Sequence, residues 1–250
     1  MKPKIIHLVL TAAIFSGCGN KTVTGPQGPK GDPGPNTIQL SLQNGVFPSA
    51  SYAGEIDTWL SATSASAPQN ATSYRRVSVG STIAGYDRVL VKFDVNAIPV
   101  NATIETARLL VTTESSTSLG SSSVTLGLHD MNPALYTGGC IWNINATWSS
   151  YNNATGWNNC TDDSSVSQTS LYQTPALSTA VFNSTFTGTS KVVEYSIPAT
   201  VVQGWVSGTN NGLILVSEGE FQNVPSANVD FYPYNDSTAT NRPELIVTYE

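Results

Sequence analysis

Three of the five tryptophans in this 250-residue chain, Trp142, Trp148 and Trp157, fall within sixteen residues, and Tyr136 and Tyr151 stand beside them. Cys140 and Cys160 bracket most of the same stretch. Flat apolar rings in a pinned loop, with asparagines around them, suit a sugar ring, which has an apolar face and a hydroxyl rim. On this reading Trp148, Tyr151 and Trp157 are the ligand-binding rings. The same rings would equally fill a small core beneath a long loop, because tryptophan is usually mostly buried. Solvent access separates the two readings.

The basic residues offer a second surface. Arg75, Arg76, Arg88, Lys92 and Arg108 are five of the seven Lys and Arg that follow Thr37. Arg88 and Lys92 are four apart in a strand-like run and so share one side of it. Such a face suits the carboxylates of an acidic polysaccharide. The alternative is a sheet face balanced by Asp87, Asp94 and Glu105. The net charge of −6 opposes long-range attraction to a polyanion. With no run of Lys or Arg, nucleic acid is excluded as a partner, since phosphate neutralisation supplies most of that affinity.

Catalytic chemistry finds little support. A Ser-His-Asp system would need His129, the one histidine beyond the leader, and its Leu-Gly-Leu-His-Asp setting reads as a surface or hydrogen-bonded strand position. Glu55 and Asp57, Asp162 and Asp163, and Glu218 and Glu220 are carboxyl pairs, and a glycosidase needs two such groups ~5–10 Å apart. Acids are scattered along the whole chain, however, so solvated or turn roles are expected and no enzyme is predicted. Asp162-Asp163-Ser164 has the oxygen ligands that calcium takes, though nothing in the spacing demands it. Zinc is the weaker reading of the two cysteines, because with His129 they do not complete a tetrahedral site. No cofactor is expected. The Asn-Ala-Thr triplets at Asn70, Asn101, Asn145 and Asn153 read as turns.

The first 37 residues describe deployment. Lys2 and Lys4 precede an apolar run from Ile5 to Phe15, far shorter than the ~20 residues needed to cross a bilayer, so residues 1–17 read as an export signal. Phe15-Ser16-Gly17-Cys18 resembles the bacterial lipoprotein cleavage box, in which the cysteine is lipidated and held to the membrane. Ordinary secretion is the alternative. Gly19 after the cysteine, by resemblance to enterobacterial lipoproteins, points to the outer membrane of a bacterial envelope, exposed at the surface or in the periplasm. Residues 18–37 then carry four Gly-X-Y triplets, from Gly25 to Asn36. They span ~35 Å as a polyproline-type spacer. A triple-helical stem, and with it a homotrimer, is the other reading. In an exported chain Cys140 and Cys160 are expected to pair, closing a loop that adds ~3 kcal/mol in the chain-entropy model.

Residues 38–250 have the length of a single sandwich. Val89, Val91, Phe93 and Val95 alternate with Arg88, Leu90, Lys92 and Asp94, which predicts a strand with one buried and one mostly polar face. Residues 106–113, 123–130, 191–197, 212–218 and 244–250 read as strands likewise. Turns fall at Ile98-Pro99, Asn210-Asn211-Gly212 and Asn241-Arg242-Pro243. One short helix is expected near 197–206, with Val201, Val202 and Trp205 on one face. The predicted fold is all-β, an antiparallel jelly-roll sandwich with one short helix.

Four stretches carry a family resemblance: DRVLVKFDVNAIPVNATIETARLLV (Asp87–Val111), ATWSSYNNATGW (Ala146–Trp157), VVQGWVSGTNNGLILVSE (Val201–Glu218) and RPELIVTYE (Arg242–Glu250). In this order they resemble the DNRLRE-domain proteins, which include carbohydrate-binding module family 96. The resemblance implies a jelly-roll domain that accompanies polysaccharide-acting or surface proteins, with acidic polysaccharide as the ligand class. Ile197-Pro198 stands where the family has Val-Thr. Two functions follow as expectations: a surface-anchored, non-catalytic carbohydrate-binding or adhesive module, or a structural surface protein whose sandwich packs on copies of itself.

Overall fold

The clearest alternation in the chain becomes its central strand, with Val89, Val91 and Phe93 on one face and at most 4% exposed. The computed structural model describes residues 37–79, 86–120, 122–157, 171–218 and 227–250. Cys18, the Gly-X-Y triplets, Cys160, Asp162, Asp163 and Glu220 lie outside them. The strands are β1 (Ile38–Leu42), β2 (Glu55–Ser61), β3 (Arg75–Val79), β4 (Asp87–Phe93), β5 (Ile104–Thr112), β6 (Val124–Asp130), β7 (Ser178–Phe182), β8 (Val192–Ile197), β9 (Leu213–Ser217), β10 (Ala227–Phe231) and β11 (Glu244–Tyr249). Two helices join them, α1 (Pro133–Thr137) and α2 (Ala199–Val206).

The strands form two antiparallel sheets, of order β1-β11-β5-β8 and β10-β3-β4-β9-β6-β7, with β2 paired to β4. Early and late strands interleave: β11 lies between β1 and β5, and β9 between β4 and β6. That is the jelly-roll order, two Greek keys wrapped on one another. The β1 to β11 ladder runs in register from Ile38↔Tyr249 to Leu42↔Leu245. Between the sheets lies a core containing Leu42, Phe93, Leu109, Leu126, Phe231 and Val247. Each such residue stabilises the fold by about 1.5–3 kcal/mol relative to exposure.

Helix α2 starts after Pro198, whose fixed φ suits a helix entry. It buries Val202 and Trp205 and leaves Val201 half-buried. Gln203 ties it to β5, accepting from the Ile104 amide and donating to the Ala102 carbonyl, each at 3.1 Å. At the corner before β9, Gly212 sits at φ 78° with the Val91 carbonyl 2.6 Å from where a Cβ would stand. Only glycine fits there. Asn210 locks the same corner, donating to the Phe93 carbonyl at 2.7 Å and accepting from the Gly212 amide at 3.0 Å.

One expectation fails on β4. Its second face is not a polar, solvated one, for Arg88 and Leu90 are fully buried. Leu60, Leu90, Ile214 and Val216 make an apolar stripe on the outside of the large sheet, and water must be kept off it. The chain between β6 and β7 folds back over this stripe and forms a second core with Met131, Leu135, Trp142, Trp157 and Leu171. The large sheet is therefore covered on both sides.

Candidate functional site: the loop capping the large sheet

The capping loop is fastened at both ends to the sheet it covers. The Met131 amide donates to the Gly212 carbonyl at 3.1 Å at one end, and the Gln173 amide to the Asp130 carbonyl of β6 at 2.9 Å at the other. Asn132 caps α1 through its side chain, which accepts from the Ala134 amide. Two tryptophans are the foundation. Trp142 donates its indole N–H to the Asn211 carbonyl at 2.7 Å, and Trp157 to the Thr147 carbonyl at 3.0 Å; both rings are 1% exposed. An indole buried so deeply needs such a partner.

The upper storey is made of turns. Asn143 accepts from the Asn145 amide at 2.8 Å, and Asn152 accepts from the Ala154 and Thr155 amides at 2.9 and 2.7 Å. Asn153 takes φ 65°, the left-handed conformation that asparagine tolerates. The turn reading of the Asn145 and Asn153 triplets therefore holds. A strut from the β2–β3 loop braces this storey: Asn70 donates to Asn145 Oδ1 at 2.8 Å, and the Ser149 amide donates to the Ala65 carbonyl at 3.0 Å.

Of the three rings expected to meet a ligand, two keep an open side. Trp148 and Tyr151 are half-buried at the edge of the second core, Tyr151 standing edge-on to Trp157 with 6.0 Å between centroids. Trp157 does not qualify. It is a foundation residue, because its N–H is consumed by the loop's own backbone and its ring fills the space above Ile214 and Val216.

Arg88 and Lys92 do share a face of β4, yet that face is the floor under the loop. The Arg88 guanidinium lies 5.1 Å from the Trp148 ring and 5.5 Å from that of Tyr172. Lys92 donates to the Trp142 carbonyl at 3.1 Å and stands 4.8 Å from its ring; burial holds its pKa below the usual lysine value. The five cations do not form one surface either. Arg75 points between the sheets, Arg76 pairs with Asp230 on β10, and Arg108 lies on the other sheet. The loop rings and the Arg88/Lys92 pair, alternatives in sequence, are one packed layer.

Tyr172 links this layer to His129, with 4.5 Å between ring centroids. His129 is buried, its Nδ1 facing the Gln173 carbonyl and its Nε2 facing Glu218, both at 2.8 Å. Gly127 leaves room for this pairing, since a Cβ there would collide with Glu218 Oε1. His129 is thus a hydrogen-bonded strand residue. Glu55 and Asp57 overturn the solvated reading: they are 0% and 1% exposed and point into the space between the sheets, opposite Phe93 and Val91. Asp57 accepts from Arg75 Nε at 2.5 Å and from the Tyr234 amide at 2.7 Å.

The outer face of the small sheet holds an open hollow of about 380 Å³ lined by Gln39, Thr106, Arg108, Glu194, Ser196 and Thr248, with Arg108 paired to Glu194 at 3.1 Å. Among the described residues no cluster of three or more His, Cys, Asp or Glu is placed to hold a metal, and no helix is long and apolar enough to cross a membrane. Cys140 is buried at the base of the loop. No family model matches the chain, and no curated protein matches it.

Proposed function

We propose that this chain is a non-catalytic carbohydrate-binding or adhesive module of the DNRLRE type, held in the bacterial outer membrane by lipid on Cys18 and set off from it by the Gly-Pro spacer. The observation that carries the reading is the platform of Trp148 and Tyr151. Two partly exposed rings stand three residues apart on a loop braced by buried indoles, an asparagine strut and the sheet itself. A surface fixed before binding loses little entropy when a sugar stacks on it. A shallow site of this kind binds at ~10–1000 µM, or about 4–7 kcal/mol.

Titration of a polysaccharide panel into the wild type, Trp148→Ala and Tyr151→Ala tests this. Each substitution abolishes binding, while the melting temperature falls less than on loss of a fully buried indole, because Trp148 and Tyr151 only edge the second core. Binding that survives both changes refutes the platform.

A second reading, a structural surface protein that packs on itself, has one observation in its favour. β7 and β8 are both sheet edges, and they carry Val181 at 57% and Val192 at 63% exposure. Open edges with exposed valines are surfaces on which strands of another copy pair. Light scattering decides: concentration-dependent assembly without any bound polysaccharide favours this reading, and a monodisperse glycan-binding protein removes it.

A further inference from the structure

We infer that the ligand is a neutral, hydroxyl-rich glycan and not a polyuronate or sulfated chain; the inference rests on the carbohydrate-binding reading above. A polyanion is held by cations that can turn toward it, most effectively by arginine forks on carboxylate or sulfate. All seven Lys and Arg after Thr37 belong to the described residues, and each is already turned to a partner within the fold. Arg75 is 1% exposed and bound to Asp57. Arg76 makes two 2.8 Å bonds to the Asp230 carboxylate. Arg88 and Lys92 are spent beneath the capping loop, against Trp148, Tyr172 and Trp142. Arg108 is bridged to Glu194, which also neutralises the hollow on the small sheet. Lys191 lies 4.8 Å from the Phe186 ring, and Arg242 donates to the carbonyls of Asn44 and Asp236.

Against these seven stand sixteen acids over the same residues, so a polyanion approaches a repulsive field. The platform offers what a neutral pyranose needs. Trp148 and Tyr151 supply apolar faces, and exposed Asn143 and Asn145 supply amides for the hydroxyl rim. The conclusion is strongest for the platform, whose cations Arg88 and Lys92 are covered; in the hollow on the small sheet Arg108 is 44% exposed and only its pairing with Glu194 balances its charge. A neutral ligand departs from the acidic ligand class that the family resemblance implies.

Calorimetric titration of the mature exported protein with a neutral glucan, a neutral galactomannan, polygalacturonate and heparin tests the inference at two salt concentrations. A neutral polymer binds, with a Kd unchanged within about twofold between about 0.02 and 0.5 M salt, because no ion pair is screened. Trp148→Ala removes that binding. Capture of polygalacturonate or heparin at low salt, lost at high salt, overturns the neutral ligand and leaves the carbohydrate-binding reading standing. Failure of all four polymers to bind overturns both.

Discussion

Glu55→Gln isolates the most unusual group in the fold. Glu55 is fully buried on the inner face of β2, and neither carboxyl oxygen meets a hydrogen-bond donor. Its backbone is held on both sides by the Asn44 amide, at 2.7 and 2.8 Å. Burial first, and the neighbouring Asp57 charge second, keep its proton on and raise its pKa well above the usual 4.5. Asp57 carries the negative charge against Arg75, although burial pushes its pKa up as well.

The sign follows from proton binding. Above pH 4.5 the unfolded chain releases the Glu55 proton and the folded chain retains it, so this group's contribution is complete below 4.5 and is lost as pH rises toward the folded pKa. The loss runs at no more than ~1.4 kcal/mol per pH unit and ends once the folded group also ionises. Glutamine keeps the shape and cannot ionise. Its amide N–H groups stand where the carboxyl oxygens meet no donor, a fixed cost of about 1–3 kcal/mol. Denaturant unfolding followed by tryptophan fluorescence between about pH 4 and pH 8 reads the difference between the two proteins. The variant is the weaker at acid pH, and the gap narrows as pH rises above 4.5. A difference that stays constant across this range refutes the protonated Glu55.

Two further outcomes are expected. Trp157→Ala costs ~3–5 kcal/mol of unfolding free energy, because it hollows the second core, and this separates it from Trp148→Ala in the same melting experiment. Mass spectrometry of the exported protein finds lipid on an N-terminal Cys18 and a peptide pair linked through Cys140 and Cys160; an unmodified Cys18, or two alkylatable thiols, refutes the respective assignment.

Much of the sandwich was legible because one side of each strand must be apolar. β4, β5, β6, β8, β9 and β11 and helix α2 follow from alternation or from a helical face, and the Asn210–Gly212 corner from its residue types. β2 was missed because Glu55 and Asp57 occupy inward positions where the pattern requires apolar residues, and β3 because Arg75 does the same. Charge at such positions declares itself only when the partners are known, and these lie up to 177 residues apart in sequence, as for Tyr234 and Asp57.

The site was half legible. The rings and the basic residues were both singled out, but not that one lies on the other. Leu90 was the available signal: an apolar residue in the middle of a supposedly polar face, repeated by Leu60 on β2 and Ile214 on β9, asks for a cover. Which rings would then be foundation and which platform depended on indole partners, the carbonyls of Asn211 and Thr147, that no periodicity encodes.

The ladder between β1 and β11 gives the module a mechanical character. A pull arriving through residue 37 enters β1, an edge strand of five residues, and is met first by five cross-strand pairs with β11 and by the side chain of buried Leu42. Drawn along the strand, the five pairs share the load and yield together. Drawn across it, they open one after another from Ile38↔Tyr249 at far lower force. The platform belongs to the other sheet. On the carbohydrate-binding reading proposed above, a load between a held glycan and the N-terminal side is borne in series by the β1 edge and the platform, and the angle of the pull decides which of the two releases first.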